Sequence, residues 1–168
     1  MASCFIYLVR HGLAADQGPE FPNDEDRPLT TEGIERMRAQ VPGLRDLDVR
    51  LDRVLTSPLV RAVQTAEILA SGLECAAPLV TVDALRPGGR YDAVLAALGR
   101  LGADRSVALV GHMPSIGDIA ARLIGARAPL VFKKGGVCCI EADALPPAGP
   151  GQLRWFVPPR ALRALGRR

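Results

Sequence analysis

The chain has 168 residues, of which 48% are hydrophobic and 4% aromatic, and a formal net charge of +3. That length and composition fit a single globular domain spanning residues 1–168 and exclude a disordered chain. The small charge and scarce aromatics argue against a nucleic-acid module, and no stretch reaches the ~20 apolar residues of a membrane span.

Cys4 to Val9 is an unbroken apolar run, which predicts a strand buried on both faces, as in a parallel sheet. The run is too short for a signal peptide and lacks a basic flank before it, so a cytoplasmic chain is expected. Arg10-His11-Gly12 follows at the point where this strand leaves the sheet. In open α/β sheets, ligands bind at such carboxyl ends.

Next comes a loop carrying Asp16, Glu20, Asp24, Glu25 and Asp26, which reads as a solvated connection; the sharper alternative, not adopted, is an acidic rim beside that strand end. Arg27 ends the loop. Thr30 opens a helix with Ile34, Met37, Val41 and Leu44 at helical spacing, and Pro42 predicts a kink or an early stop. A β-prone stretch from Asp52 to Thr56 then runs into Ser57-Pro58, read as an N-cap and the first helical residue. In the helix that follows, Leu59, Ala62, Val63, Ala66, Leu69 and Ala70 share an apolar face, while Arg61 and Thr65 share another with Ser57.

Leu79 to Val82 predicts a further strand, and Tyr91 to Leu101 a third amphipathic helix. Ser106 to Val110 repeats the first pattern: a buried strand ending in Gly111-His112, with Pro114 opening a helix that Gly125 stops. Two last strands, Val137 to Glu141 and Leu153 to Val157, are joined by a Pro/Gly-rich turn from Pro146 to Gly151. Arg160 to Arg168 carries four arginines and reads as a solvated helix end or a frayed tail; the alternative is an anionic docking patch. Cys4, Cys138 and Cys139 sit in apolar stretches as small buried hydrophobes, and no Cys or His pair has zinc-ligand spacing.

Parallel connectivity brings three strand ends to one sheet edge, with both histidines of the chain and Arg61 on them. In order and spacing, Arg10-His11-Gly12, Ser57-Pro58 with Arg61, Ala62, Gln64 and Thr65, and Gly111-His112 resemble the histidine phosphatase superfamily, also called phosphoglycerate-mutase-like. The short length and the run Arg27-Pro28-Leu29-Thr30 with Gly33 look most like its bacterial SixA-type phosphohistidine phosphatases. The resemblance covers nearly the whole chain and implies a three-layer α/β/α sandwich with a mainly parallel central sheet.

It also implies a chemistry. Phosphoryl transfer spreads charge over non-bridging oxygens, so catalysis is mostly positioning and charge stabilisation. Arg10 and Arg61 supply planar forks for two oxygens each. His11 matches the family nucleophile and must be neutral to attack; His112 matches the second family histidine, which bonds the transferring group. Arg27 matches an arginine near the phosphate site and is carried as an auxiliary phosphate binder. These protein groups neutralise the charge, so neither metal nor cofactor is expected.

One departure stands out. Larger family members carry a glutamate that protonates the leaving group, and the corresponding stretch here, Thr81 to Pro87, offers only Asp83. Leu13 occupies a position that is often acidic in the short phosphatases. The resemblance therefore implies a metal-independent phosphatase, a monomer with no nucleic-acid or membrane partner, acting through a phosphohistidine intermediate on protein phosphohistidine. The alternatives are a small-molecule phosphomonoesterase and a non-catalytic phosphohistidine-binding module.

Overall fold

The computed structural model describes residues 2–168. Six strands form one sheet, β1 (Cys4–Arg10), β2 (Arg53–Thr56), β3 (Val80–Thr81), β4 (Ser106–Gly111), β5 (Val137–Ala142) and β6 (Gln152–Val157), in the order β3-β2-β4-β1-β5-β6. β1, β2, β3 and β4 pair in parallel. The β5–β6 hairpin adds on antiparallel beside β1, so the sheet is mixed, with four parallel strands and two antiparallel ones.

The apolar run of β1 is unbroken because both faces of the strand are covered. Ile6 and Leu8 point into one core with Leu109, Ile116, Leu123 and Phe132; Tyr7 and Val9 point into the other with Met37, Leu44, Ala66 and Leu162. Successive strand side chains alternate between faces, so one run fills two cores. Helices α3 (Tyr91–Leu98) and α4 (Ser115–Ile124) cover the first face. Helices α1 (Thr31–Asp46), α2 (Val60–Gly72) and α5 (Pro159–Leu165) cover the second, completing three α/β/α layers. None of the described helices is long and apolar enough to cross a membrane.

The predicted caps divide. Thr30 caps α1 as expected, accepting the Gly33 N–H at 2.9 Å. Ser57 does not cap α2: the helix begins at Val60, and Ser57 accepts only the Leu59 N–H, in the turn before it. Nor does Pro42 stop α1, which continues to Asp46. The reason is tertiary packing. A side chain at Gly43 would overlap the Leu162 carbonyl, so α5 lies directly across the Pro42-Gly43 turn. The C-terminus is a helix end with Arg160, Arg167 and Arg168 exposed, as one reading expects, and not a frayed tail: α5 is docked, with Leu162 fully buried. Strand β3 keeps only two exposed residues of the predicted four, and α3 ends at Leu98 rather than Leu101. Cys4, Cys138 and Cys139 are buried and free.

Candidate active site

Register brings the site together. Arg10 pairs with Gly111 across β1–β4, and Thr56 with Val110 across β2–β4. The next residue on each strand therefore emerges at the same edge. The ladder continues one step further: the His11 N–H donates to the Gly111 carbonyl at 3.1 Å and the Ser57 N–H to the Val110 carbonyl at 3.0 Å. His11, Ser57 and His112 thus stand side by side, with the two imidazole centres 5.1 Å apart.

His11 is 7% exposed, and its Nδ1 lies 2.7 Å from the Gly12 carbonyl oxygen. A carbonyl only accepts, so Nδ1 carries the proton and Nε2 keeps its lone pair. The Arg61 Nε–H points at that Nε2 from 3.3 Å, as an unprotonated nitrogen requires. Burial pulls the His11 pKa down to about 3; the Gly12 bond acts upward, and His112, Arg61 and Arg10 push further down. At neutral pH the ring is a free base with its tautomer defined. A Cβ at Gly12 would sit 2.8 Å from Met37 Cγ, so any larger residue there would displace the Met37 side chain.

His112 is 3% exposed, and its Nε2 lies 2.8 Å from Ser57 Oγ. Ser57 already accepts the Leu59 N–H, so its hydroxyl hydrogen is free to donate to His112. In that tautomer His112 Nδ1 carries a proton, and this buried nitrogen has no partner. It is a donor ready for an anionic oxygen. Burial, then Arg61, lower the His112 pKa to about 4, with Asp24 acting against them and Arg10 and Arg27 with them.

The guanidiniums are equally fixed. Arg10 donates through Nη1 to the Phe132 carbonyl at 2.7 Å, while its buried Nε lacks a partner. Arg61, 4% exposed, donates through Nη1 to the Asp24 carbonyl (2.7 Å) and through Nη2 to the Asp24 carboxylate (3.0 Å). Thr65 holds the base of this assembly: its hydroxyl accepts the Gly12 N–H and donates to the Arg61 carbonyl. Gln64 pins the neighbouring loop by accepting the Leu29 N–H at 2.7 Å.

Of the five site residues expected from sequence, Arg10, His11, Arg61 and His112 meet at the sheet edge. Arg27 lies one contact further out, with Nε and Nη2 on Asp24 Oδ1 and Nη1 on the Ala15 carbonyl. The residue that sequence reasoning missed is Asp24. Its carboxylate bridges Arg27 and Arg61, and these bonds hold its pKa below the usual value against partial desolvation. The acidic-rim reading of the loop is therefore the right one at this residue. Asp24's place three residues before Arg27 was the available signal, but five acids in one loop gave no means of choosing among them. Asp83 does not take up the role of an acid: it pairs with Arg86, is 87% exposed, and makes no contact with either histidine.

The model of the histidine phosphatase superfamily (branch 1) matches residues 6–87. The chain is 30% identical to phosphohistidine phosphatase SixA of Escherichia coli, over 94% of this chain and 96% of that one. An uncharacterised protein of Picosynechococcus is 39% identical over 83% of this chain and 86% of its own. Among solved structures, the protein histidine phosphatase SixA complexed with tungstate superposes with a TM-score of 0.84 at 30% identity, covering 94% of this chain and 99% of that one.

Proposed function

Since the chain belongs to the histidine phosphatase superfamily, we propose that it is a phosphohistidine phosphatase whose nucleophile is His11. The observation that carries this reading is the His11 ring itself: neutral, with Nδ1–H committed to the Gly12 carbonyl and the Nε2 lone pair unprotonated and met only by the Arg61 Nε–H at 3.3 Å. A binding module needs cations but has no use for a defined attacking nitrogen.

In the first step His11 Nε2 attacks phosphorus and the substrate N–P bond breaks. Its electron pair returns to the departing imidazole, which takes a proton from solvent. In the second step water attacks phosphorus, the bond to His11 Nε2 breaks, and orthophosphate leaves as the water proton passes to solvent. Arg10, Arg61 and the His112 Nδ1–H hold the non-bridging oxygens through both steps, and Arg27 supports them from the rim. Arg10 Nε and His112 Nδ1 are buried without a partner before substrate arrives, whereas Arg61 and Arg27 must exchange Asp24 for the phosphoryl oxygens; donors set in place ahead of the reaction are how electrostatic stabilisation lowers a barrier.

The choice of a phosphohistidine substrate follows from the missing acid. An alkoxide leaving group needs a proton donor, whose absence typically costs about 10²–10⁴-fold. Imidazole, with a pKa of about 6.5, protonates unaided near neutral pH. The similarity to SixA supports a protein as the carrier.

The test is a rapid quench with a radiolabelled phosphohistidine protein. A phosphoenzyme labile in acid and stable in base should appear, mapped to His11, and His11→Ala should lose about 10³-fold or more in kcat. Near-normal turnover by His11→Ala would sink the mechanism. An alkyl monoester hydrolysed as efficiently as the phosphoprotein would sink the substrate class.

A further inference from the structure

Beside the catalytic site runs a groove of about 360 Å³ that the reaction does not use. It begins at Gly12, the residue after His11, and is lined there by half-buried Leu13 and buried Met37. Around it stand five cations: Arg36 from α1, Lys133 and Lys134 from the turn before β5, and Arg160 and Arg163 from α5. Only Arg36 has an acidic partner, Glu32; the other four form no ion pair among the described residues.

Folding creates this cluster from distant parts of the chain. The docking of α5 across α1 brings Arg160 and Arg163 to Arg36, and Arg163 is pushed below its usual pKa by burial and then by Arg36, Arg167 and Arg160, with Glu32 acting against them. Gathering like charges costs stability unless an opposite charge answers them. The lysines are also held in register with the nucleophile. The Gly135 N–H donates to the Arg10 and His11 carbonyls, Gln40 grips the Gly135 carbonyl at 2.8 Å, and Arg10 holds Phe132. The backbone that carries these lysines is therefore held in place before binding, and only their side chains remain to be ordered.

We propose that this groove docks an acidic surface flanking the phosphohistidine of a protein substrate, and so sets preference for proteins over small phosphates. The inference rests on the phosphohistidine reading above and adds the character of the partner. An apolar floor inside a charged rim is the anatomy of a protein–protein interface. No aromatic residue lines the groove to stack a base, which disfavours single-stranded nucleic acid.

The test compares two substrates on the intact chain: an acidic histidine-phosphotransfer protein phosphorylated on histidine, and p-nitrophenyl phosphate. Two double variants, Arg160→Glu with Arg163→Glu and Lys133→Glu with Lys134→Glu, change different elements, so at least one should fold. The phosphoprotein kcat/KM should fall by roughly 10–100-fold, mainly through KM, with p-nitrophenyl phosphate held within about twofold. Salt should depress the wild-type rate on the phosphoprotein and flatten its advantage over the variants.

Unchanged phosphoprotein kinetics in a folded variant would overturn the groove while leaving the phosphohistidine reading intact. Equal losses on both substrates would assign these residues to structure instead. A variant that loses binding to RNA or anionic vesicles, but not turnover of the phosphoprotein, would assign the cations to another partner. Wild type that cleaves p-nitrophenyl phosphate through His11 and never the phosphoprotein would defeat the substrate reading, and the groove with it.

Discussion

At the scale of single residues, the most informative contact is between Asp24 and Arg61. A buried guanidinium expected on a phosphoryl oxygen holds a carboxylate instead, and Arg27 shares that carboxylate. Incoming phosphate has to compete with Asp24 for both cations. Asp24→Asn should therefore tighten inhibition by orthophosphate or tungstate about 3–10-fold, since a half-exposed ion pair is worth about 1 kcal/mol. Weaker inhibition would mean that Asp24 chiefly positions Arg61. Arg61→Ala should lower kcat as well as raise KM, because its bonds to the transferring group strengthen in the transition state. Arg61→Lys should rescue poorly, having lost the fork that spans His11 Nε2 and two further acceptors. Full rescue would show that a point charge suffices. The main features of the candidate site were legible at this scale: His11 and His112 each follow a strand, Arg61 lies in the first turn of the helix after another, and their types announce anion chemistry. Ser57 was misread, because the same side chain that suits a helix N-cap also suits a bond to His112 Nε2, and sequence does not say which partner arrives.

At the scale of elements, the expectations that failed are those that tertiary packing overrides. Propensity alone ends α1 at Pro42, yet the helix continues because α5 packs across that turn. Sequence placed four arginines at the C-terminus without showing that Leu162 is buried between them and the core. Gly43 marks the closest approach of the two helices. Gly43→Ala gains helix propensity but drives a methyl group into the Leu162 carbonyl, and overpacking of this kind costs about 1–3 kcal/mol. Its melting temperature should fall. Gly18→Ala, where an added Cβ meets nothing within 4 Å, should melt with wild type. A Gly43→Ala protein as stable as wild type would show that α5 is only loosely seated. Strands fared better, because the apolar runs at Cys4, Ser106 and Val137 are long enough to outweigh context, whereas exposed β3 is short and shrank to two residues.

At the scale of the whole molecule, two neutral histidines tie stability to pH. Unfolded, each takes up a proton near pH 6.5; folded, His11 and His112 resist until about 3 and about 4. Between those limits the unfolded chain binds more protons, so stability is fully present above about pH 6.5 and is lost as pH falls toward the folded values. Melting temperature should drop between pH 6.5 and 4.5, and His11→Asn should flatten that slope. A wild-type profile flat over this window would mean that the rings are not held neutral.

The two cores lie on opposite faces of the central strands, and the proposed nucleophile sits just past the end of one of them, β1. Because alternate residues of β1 are locked into opposite layers, no partial opening frees the strand without disrupting both. Amide hydrogens of β1 should accordingly exchange with solvent only through global unfolding, at the slow limit for the molecule, while those of β3 and β6 at the sheet edges exchange through local fraying. Substitutions far apart, on α4 or on α2, should then shift the β1 exchange rates by the full change in global stability. The sheet that presents His11 would thus be among the last parts of the chain to come apart.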